Sequence, residues 1–242
     1  MRHTFDNFKV DDSNREAYEL CNRISKQVGK NPRLVHIHGT AGTGKTHLLE
    51  AVKRRMEEEN YLSVELIEGS QLVELFIAIF KACINTDYPI EQMYPLFADA
   101  DVLLIDNIQC LIGRSSTQEL VGELLADMIK NGKTVLFTSE KTFEEMGMDS
   151  LKKYMEEHDL SYTDAFISVP NNTTKRELLD EFVQRQNLHL EEKDQENILK
   201  WSVTFRELNA ILNQIAFQQK LEPTATNNEI IKKVFRERGR PV

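Results

Sequence analysis

Gly39 to Thr46 reads Gly-Thr-Ala-Gly-Thr-Gly-Lys-Thr. It fits the phosphate-binding template of a glycine, four free positions and then Gly-Lys-Thr. Backbone N–H groups can wrap a polyphosphate only where no Cβ blocks close approach, and Gly39, Gly42 and Gly44 leave that space open. The nucleotide contacts predicted in this stretch are Gly39, Thr40, Ala41, Gly42, Thr43, Gly44, Lys45, Thr46 and His47.

The residues around this loop have the order that such a site requires. An apolar strand is predicted over residues 34–38, and a helix is predicted to begin at the end of the loop. Its positive dipole end would point at the phosphates, with Lys45 meeting the β and γ oxygens and Thr46 offering a hydroxyl to Mg²⁺. A glycine-rich turn with a chance Lys-Thr is the alternative, which the strand, loop and helix order disfavours.

A second candidate site is the carboxylate of Asp106, which ends the apolar run at residues 101–106. A continuous apolar run suits a parallel strand buried on both faces. An acid at the end of such a strand completes the Mg²⁺ site of phosphate-loop proteins, so Thr46 and Asp106 are the predicted metal ligands. A strand that merely ends in a turn-forming Asp is the alternative. The predicted catalytic residues are Lys45, Asp106 and Asn107.

Composition narrows the class of protein. The 242 residues can form one large domain or one domain with a small lid. The formal net charge of −9 disfavours a broad nucleic-acid surface. No apolar run approaches the length of a membrane span, and the N-terminus lacks an apolar signal core, so a cytoplasmic location is expected.

The remaining pattern predicts an α/β fold. Strands are predicted at residues 63–67 and 134–137, and helices at 72–83 and 118–129. After Pro170 the pattern is helical only, over 175–186, 193–203, 206–220 and 228–238. Alternating strands and helices followed by helices alone indicate a parallel sheet flanked by helices, with a small all-α lid domain after it.

Seven segments resemble, in the same order, the AAA+ ATPase domain of the bacterial replication initiator DnaA. They are Thr4-Phe5-Asp6-Asn7-Phe8, Ser13-Asn14-Arg15, Gly44-Lys45-Thr46-His47-Leu48-Leu49, Val102-Leu103-Leu104-Ile105-Asp106-Asn107-Ile108-Gln109, Thr117-Gln118-Glu119, Thr138-Ser139-Glu140 and Arg206-Glu207-Leu208. The resemblance implies a P-loop AAA+ core over residues 1–170, a helical lid over 171–242, and ATP or ADP with Mg²⁺ as ligands.

The resemblance also implies roles for individual residues. Phe8 and Val10 would line the adenine pocket. Thr138 to Glu140 would occupy the sensor 1 region, with Ser139 as its predicted nucleotide contact. Arg206 would be the sensor 2 arginine that reads the γ-phosphate. An arginine near the start of a helix can make charge-assisted bonds to phosphate, although a solvated helix arginine is an equally simple interpretation without the family context.

The chain departs from the family at three places. Asn107 stands where a second acid would polarise the attacking water, and an amide cannot accept a proton. No arginine occurs between Arg114 and Arg176, so an arginine finger has no candidate beyond Lys152 and Lys153, which lack the bidentate fork. The family's basic DNA-binding insertion corresponds to residues 76–94, where Lys81 is the only basic side chain.

These features favour a stand-alone DnaA-related protein without the helix-turn-helix domain. It would bind ATP or ADP and regulate or adapt replication through protein contacts, with weak or absent hydrolysis and weak or absent DNA binding. A protein of the replication machinery, with the initiator itself as one candidate, would be its partner, and the oligomeric state stays open. The alternatives are an active ATPase that loads or remodels an initiation complex, and nucleic-acid binding by the basic tail at residues 232–240.

Overall fold

A parallel β-sheet forms the centre of the larger part of the chain. The computed structural model describes residues 2–26, 33–82, 94–188 and 190–239. The five strands are β1 Leu34–Gly39, β2 Val64–Glu68, β3 Val102–Asp106, β4 Thr134–Ser139 and β5 Thr163–Ile167. They lie in the order β2-β3-β4-β1-β5, and every neighbouring pair is parallel. The predicted α/β fold with a parallel sheet is confirmed.

Helices connect the strands and make up the remainder. Those that precede or alternate with the strands are α1 Arg15–Lys26, α2 Lys45–Asn60, α3 Gly69–Ala82, α4 Tyr94–Phe97, a 3-10 helix Ile108–Leu111, α5 Ser115–Lys130, α6 Phe143–Met146 and α7 Asp149–Glu157. Those after the sheet are α8 Asn172–Gln186, α9 Glu192–Trp201, α10 Phe205–Leu221 and α11 Asn227–Glu237.

The chain divides into two compact units. One holds Met1–Phe8, Arg15–Thr40 and Lys45–Ile167, and the other holds Lys9–Asn14, Ala41–Gly44 and Ser168–Val242. In the first unit, every residue of β1, β3 and β4 is buried, because helices cover both faces of a parallel sheet. This burial explains the apolar residues of the three strands, which are continuous in β3 up to Asp106 and alternate with His36 and His38 in β1.

Strand β5 was not predicted, and its contacts explain why. Only two of its five residues are buried, so it lacks a strong apolar pattern. Asp164 instead accepts hydrogen bonds from His36 Nδ1 at 3.0 Å and His38 Nε2 at 2.9 Å on β1. Burial raises the pKa of Asp164, but the hydrogen bonds from the two histidines outweigh it and leave that pKa below its ordinary value. The edge strand is therefore held in part by polar pairing.

The second unit is a helical bundle with its own apolar core, and the helical C-terminal region agrees with the predicted fold class. Thr204 with Glu207 and Thr226 with Glu229 form capping boxes that fix where α10 and α11 begin. Asn171 caps α8 by accepting a hydrogen bond from the Thr174 N–H.

Three of the sequence predictions concern residues outside the described ranges. They are the end of the helix predicted over 72–83, most of the segment compared with the DNA-binding insertion, and Arg240 of the basic tail. Within the described ranges, no helix combines the length and the apolar character needed to cross a bilayer.

Candidate nucleotide-binding site

Gly39 ends β1 and begins the predicted phosphate loop, and the packing there leaves no space for a side chain. Its φ is 151°, and a Cβ at this position would lie 1.9 Å from the carbonyl oxygen of Ile167 on β5. Any larger residue would therefore push β5 away from β1. Glycine is required here by the close approach of the β5 backbone, and the predicted contact of Gly39 with a polyphosphate stays a prediction.

Lys45, the first residue of α2, is only 5% exposed. Its ammonium group donates to the carbonyl oxygens of Gly39 and Thr40, the second at 3.0 Å. These bonds hold the lysine against the loop from which it would meet phosphate oxygens. An ammonium group buried among carbonyls keeps a strong attraction for an anion, because little water competes for it.

A hydrogen-bonded group of three side chains lies where α2 begins and where β3 and β4 end. Its members are Thr46, Asp106 and Thr138. The Thr46 hydroxyl donates to Asp106 Oδ2 at 2.7 Å, and the Thr138 hydroxyl donates to Asp106 Oδ1. The structure thus brings together the two residues predicted as metal ligands. Hydroxyl and carboxylate oxygens are the hard donors that Mg²⁺ prefers, so the donor set fits this ion.

Thr138 lies in the predicted sensor 1 region but was not among the individual nucleotide contacts that the sequence predicted. The prediction at this strand end was Ser139, whose hydroxyl lies 2.7 Å from His36 Nε2 and donates to the Lys141 carbonyl. Successive side chains of a strand point to opposite faces, so only one of the two can face Asp106. The register of β4 against β3 determines which one does, and no local signal in the sequence reveals it. The role of Ser139 stays a prediction.

Asn107 directly follows Asp106 and lies in a left-handed backbone conformation, with φ 60° and ψ 56°. Its backbone N–H donates to the Thr138 hydroxyl at 2.9 Å, which connects it to the Asp106 group. Its side-chain amide donates to both carboxylate oxygens of Glu68, at 3.1 and 3.3 Å. The sequence analysis did not identify Glu68, because it lies 39 residues earlier on another strand.

Phe8, predicted for the adenine pocket, lies in the first unit beside His47, a predicted nucleotide contact. Their rings meet edge to face, with centroids 5.0 Å apart, and Phe8 also stacks on Tyr18 at 5.7 Å. His47 Nε2 donates to the Thr4 carbonyl at 2.9 Å, and burial lowers the pKa of His47. Val10, predicted for the same pocket, is half-buried and belongs to the second unit.

The middle of the phosphate loop, Ala41–Gly44, also belongs to the second unit. There the Gly42 carbonyl accepts a hydrogen bond from the Arg206 backbone N–H at 3.3 Å, while the Arg206 side chain is exposed. Thr43 is fully buried. The contact places the start of α10 beside the loop within that unit.

A phosphate loop between β1 and α2, a carboxylate at the end of β3 and a sheet of this order define the chain as an AAA+ domain. It matches the family model described as the bacterial DnaA ATPase domain over residues 1–159 and belongs to that family.

Known proteins support this assignment over most of the chain. The chromosomal replication initiator protein DnaA of Mycoplasma capricolum subsp. capricolum is 28% identical over 97% of this chain and 52% of its own length. The crystal structure of domain III of the Thermotoga maritima initiator matches with a TM-score of 0.82 at 18% identity, covering 97% of this chain and 96% of that one. The structure of AMPPCP-bound DnaA from Aquifex aeolicus matches with a TM-score of 0.76 at 22% identity, covering 98% and 70%.

The chain spans about half the length of the Mycoplasma relative. Because the two structural matches fall below 25% identity, they establish the fold and not the chemistry of the site.

Proposed function

We propose that this protein binds ATP or ADP with Mg²⁺, through a core over residues 1–170 and a helical lid over residues 171–242. The proposal is carried by the positions of three side chains. Lys45 and Thr46 are the first two residues of α2, and Thr46 donates a hydrogen bond to Asp106 at the end of β3. Lys45 donates to the carbonyls of the loop that follows β1. The AMPPCP bound to the Aquifex aeolicus relative supports an adenine nucleotide as the ligand.

The residues of the site have separate tasks in this proposal. Lys45 exchanges its contacts with the loop carbonyls for phosphate oxygens. Thr46 and Asp106 would hold Mg²⁺, which neutralises phosphate charge when bound. Phe8 contacts the base. The nucleotide contacts that were predicted for His47, Val10 and Arg206 stay predictions.

We further propose that the protein acts as a regulator or adaptor in replication through protein contacts, with slow hydrolysis. Asn107 occupies the position where the family resemblance implies a second acid, and no arginine lies between Arg114 and Arg176. Of the two lysines in residues 151–157, Lys152 is paired with Glu144 and with Glu156 at 3.9 Å, and Lys153 is paired with Glu157 at 3.7 Å. A charge held in ion pairs is a weak substitute for a free guanidinium fork.

DNA binding by the basic tail is disfavoured by its contacts in the second unit. Lys233 is paired with Glu222 and with Gln218 at 3.2 Å, and Arg238 Nε donates to Gln214 at 2.7 Å. Basic residues near the end of α11 also complement its helix dipole. We therefore propose protein partners, with the replication initiator as the first candidate.

The experiment is to release nucleotide that co-purifies with the protein, identify it by chromatography and measure ATP and ADP affinity with and without Mg²⁺. We expect bound adenine nucleotide, affinity that falls without Mg²⁺, and a change in the turnover of an added initiator. Protein that binds no adenine nucleotide would refute the proposal. Fast turnover by this chain alone would favour the ATPase alternative.

A further inference from the structure

Glu68 is a carboxylate that lies beside the nucleotide site but has no role in the site described above. It is the last residue of β2 and pairs in parallel register with Asp106 on β3. Residues in register on adjacent strands are about 5 Å apart at the backbone, so the two acids end their strands side by side. The Asp106 carboxylate is bonded to Thr46 and Thr138, whereas Glu68 is bonded to Asn107.

The amide of Asn107 is oriented toward Glu68 by a second contact. Gln109 Nε2 donates to Asn107 Oδ1 at 3.3 Å, which occupies the acceptor side of the amide and leaves its Nδ2 donors for the Glu68 carboxylate. Both Glu68 oxygens receive a bond from this amide. Glu68 is half-buried, so its carboxylate is fixed in direction and still reachable by water.

Close packing of the backbone keeps β2 and Asn107 together. Gly69, which begins α3 directly after Glu68, is buried, and a Cβ there would lie 2.6 Å from the Asn107 carbonyl oxygen. A side chain at this position would separate the two segments. Glycine thus permits the approach that the Glu68–Asn107 contact needs.

We infer that Glu68 is the catalytic residue that accepts the proton of the attacking water, and that Asn107 is the residue that positions it. This inference rests on the proposed nucleotide binding. An amide cannot take a proton, whereas a carboxylate can, so the acid missing from position 107 is supplied by the neighbouring strand.

The reaction is the hydrolysis of ATP by one water molecule. The water oxygen bonds to the γ-phosphorus, and the bond from that phosphorus to the β,γ-bridging oxygen breaks with its electron pair leaving on ADP. The water proton passes to the Glu68 carboxylate and then to solvent. The products are ADP and inorganic phosphate, and no further reactant is required.

The test compares single-turnover ATP hydrolysis and ATP affinity in wild type, Glu68→Gln, and Glu65→Gln as a control on the exposed part of the same strand. Loss of a general base slows a reaction by about 100-fold or more, so we expect that loss in Glu68→Gln with affinity changed by less than about twofold. Glu65→Gln should match wild type in both measurements.

A paired exchange tests the positioning role of Asn107. Glu68→Gln combined with Asn107→Asp returns one carboxylate and one amide to the contact, and Asp tolerates the left-handed backbone at position 107. We expect this double variant to recover about tenfold or more of the rate lost in Glu68→Gln. A purely structural contact would instead change affinity and stability together.

The outcomes separate this inference from the proposed function. Wild-type protein that binds no nucleotide refutes both. Wild-type protein that binds ATP without hydrolysing it, or that hydrolyses it at the same rate after Glu68→Gln, overturns the inference and leaves nucleotide binding intact.

Discussion

Lys45 in the first unit and Lys175 in the second are both buried, at 5% and 6% exposure. Each ammonium group donates to two backbone carbonyls, those of Gly39 and Thr40 for Lys45, and those of Leu199 and Ser202 for Lys175. Their local chemistry is therefore almost the same. Burial and hydrogen bonding alone do not distinguish a binding lysine from a structural one.

The backbone around each lysine makes the difference. Lys175 lies in the first turn of α8, but its side chain reaches the end of α9, where its ammonium group meets the carbonyls of the last helical turn and the negative end of that helix dipole. Lys45 lies at the beginning of α2, where the dipole is positive and favours an added anion. We therefore assign Lys175 to stability and Lys45 to the ligand.

The largest expected effect is the loss of nucleotide affinity in Lys45→Met. Charge-assisted bonds to phosphate contribute roughly 1.5–3 kcal/mol each, so affinity should fall on the order of 100-fold or more. Equilibrium titration with a fluorescent ATP analogue measures this, and Lys175→Met is the matched control, expected to bind normally below its unfolding transition. Equal nucleotide affinity in Lys45→Met and wild type would contradict the assignment of Lys45 to the ligand.

The next effect is on stability. In Lys175→Met the Ser202 carbonyl loses the Lys175 donor, whereas the Leu199 carbonyl keeps the Ser202 hydroxyl at 3.3 Å, and an unsatisfied buried polar group costs about 1–3 kcal/mol. We expect the free energy of unfolding in urea to fall by about 2–3 kcal/mol. Lys193→Met, at an exposed position of α9, should change it by less than about 0.5 kcal/mol. No difference between these variants would contradict a structural role for Lys175.

The smallest effect is a pH dependence. Burial lowers the pKa of Lys175 from its ordinary value of 10.5. Between the lowered value and 10.5 the unfolded chain keeps a proton that the folded chain has released, so stability rises with pH across that window. As the pH increases from 7 into this window, the free energy of unfolding of wild type should therefore rise relative to that of Lys175→Met. A difference that does not change with pH would mean that the folded pKa of Lys175 is not lowered.

The two lysines also show what could be predicted from sequence. Lys45 was predicted because Gly-Lys-Thr follows a strand and a glycine-rich loop within a few residues. Lys175 was read only as part of a helix, because the carbonyls that it meets lie 24 and 27 residues away. The same difference explains which strands could be predicted. The buried strands β1, β3 and β4 were recognised from local patterns, whereas the polar edge strand β5 was not.

The sequence by itself determined the order of strand, phosphate loop and helix and the acid that ends β3, because each depends on residues close together in the chain. It also determined the AAA+ family, because seven short segments occur in a fixed order along the chain. The tertiary structure decided that Thr138 faces Asp106 and that Glu68 meets Asn107. Those contacts depend on strand order and register, which are set by packing across the whole sheet.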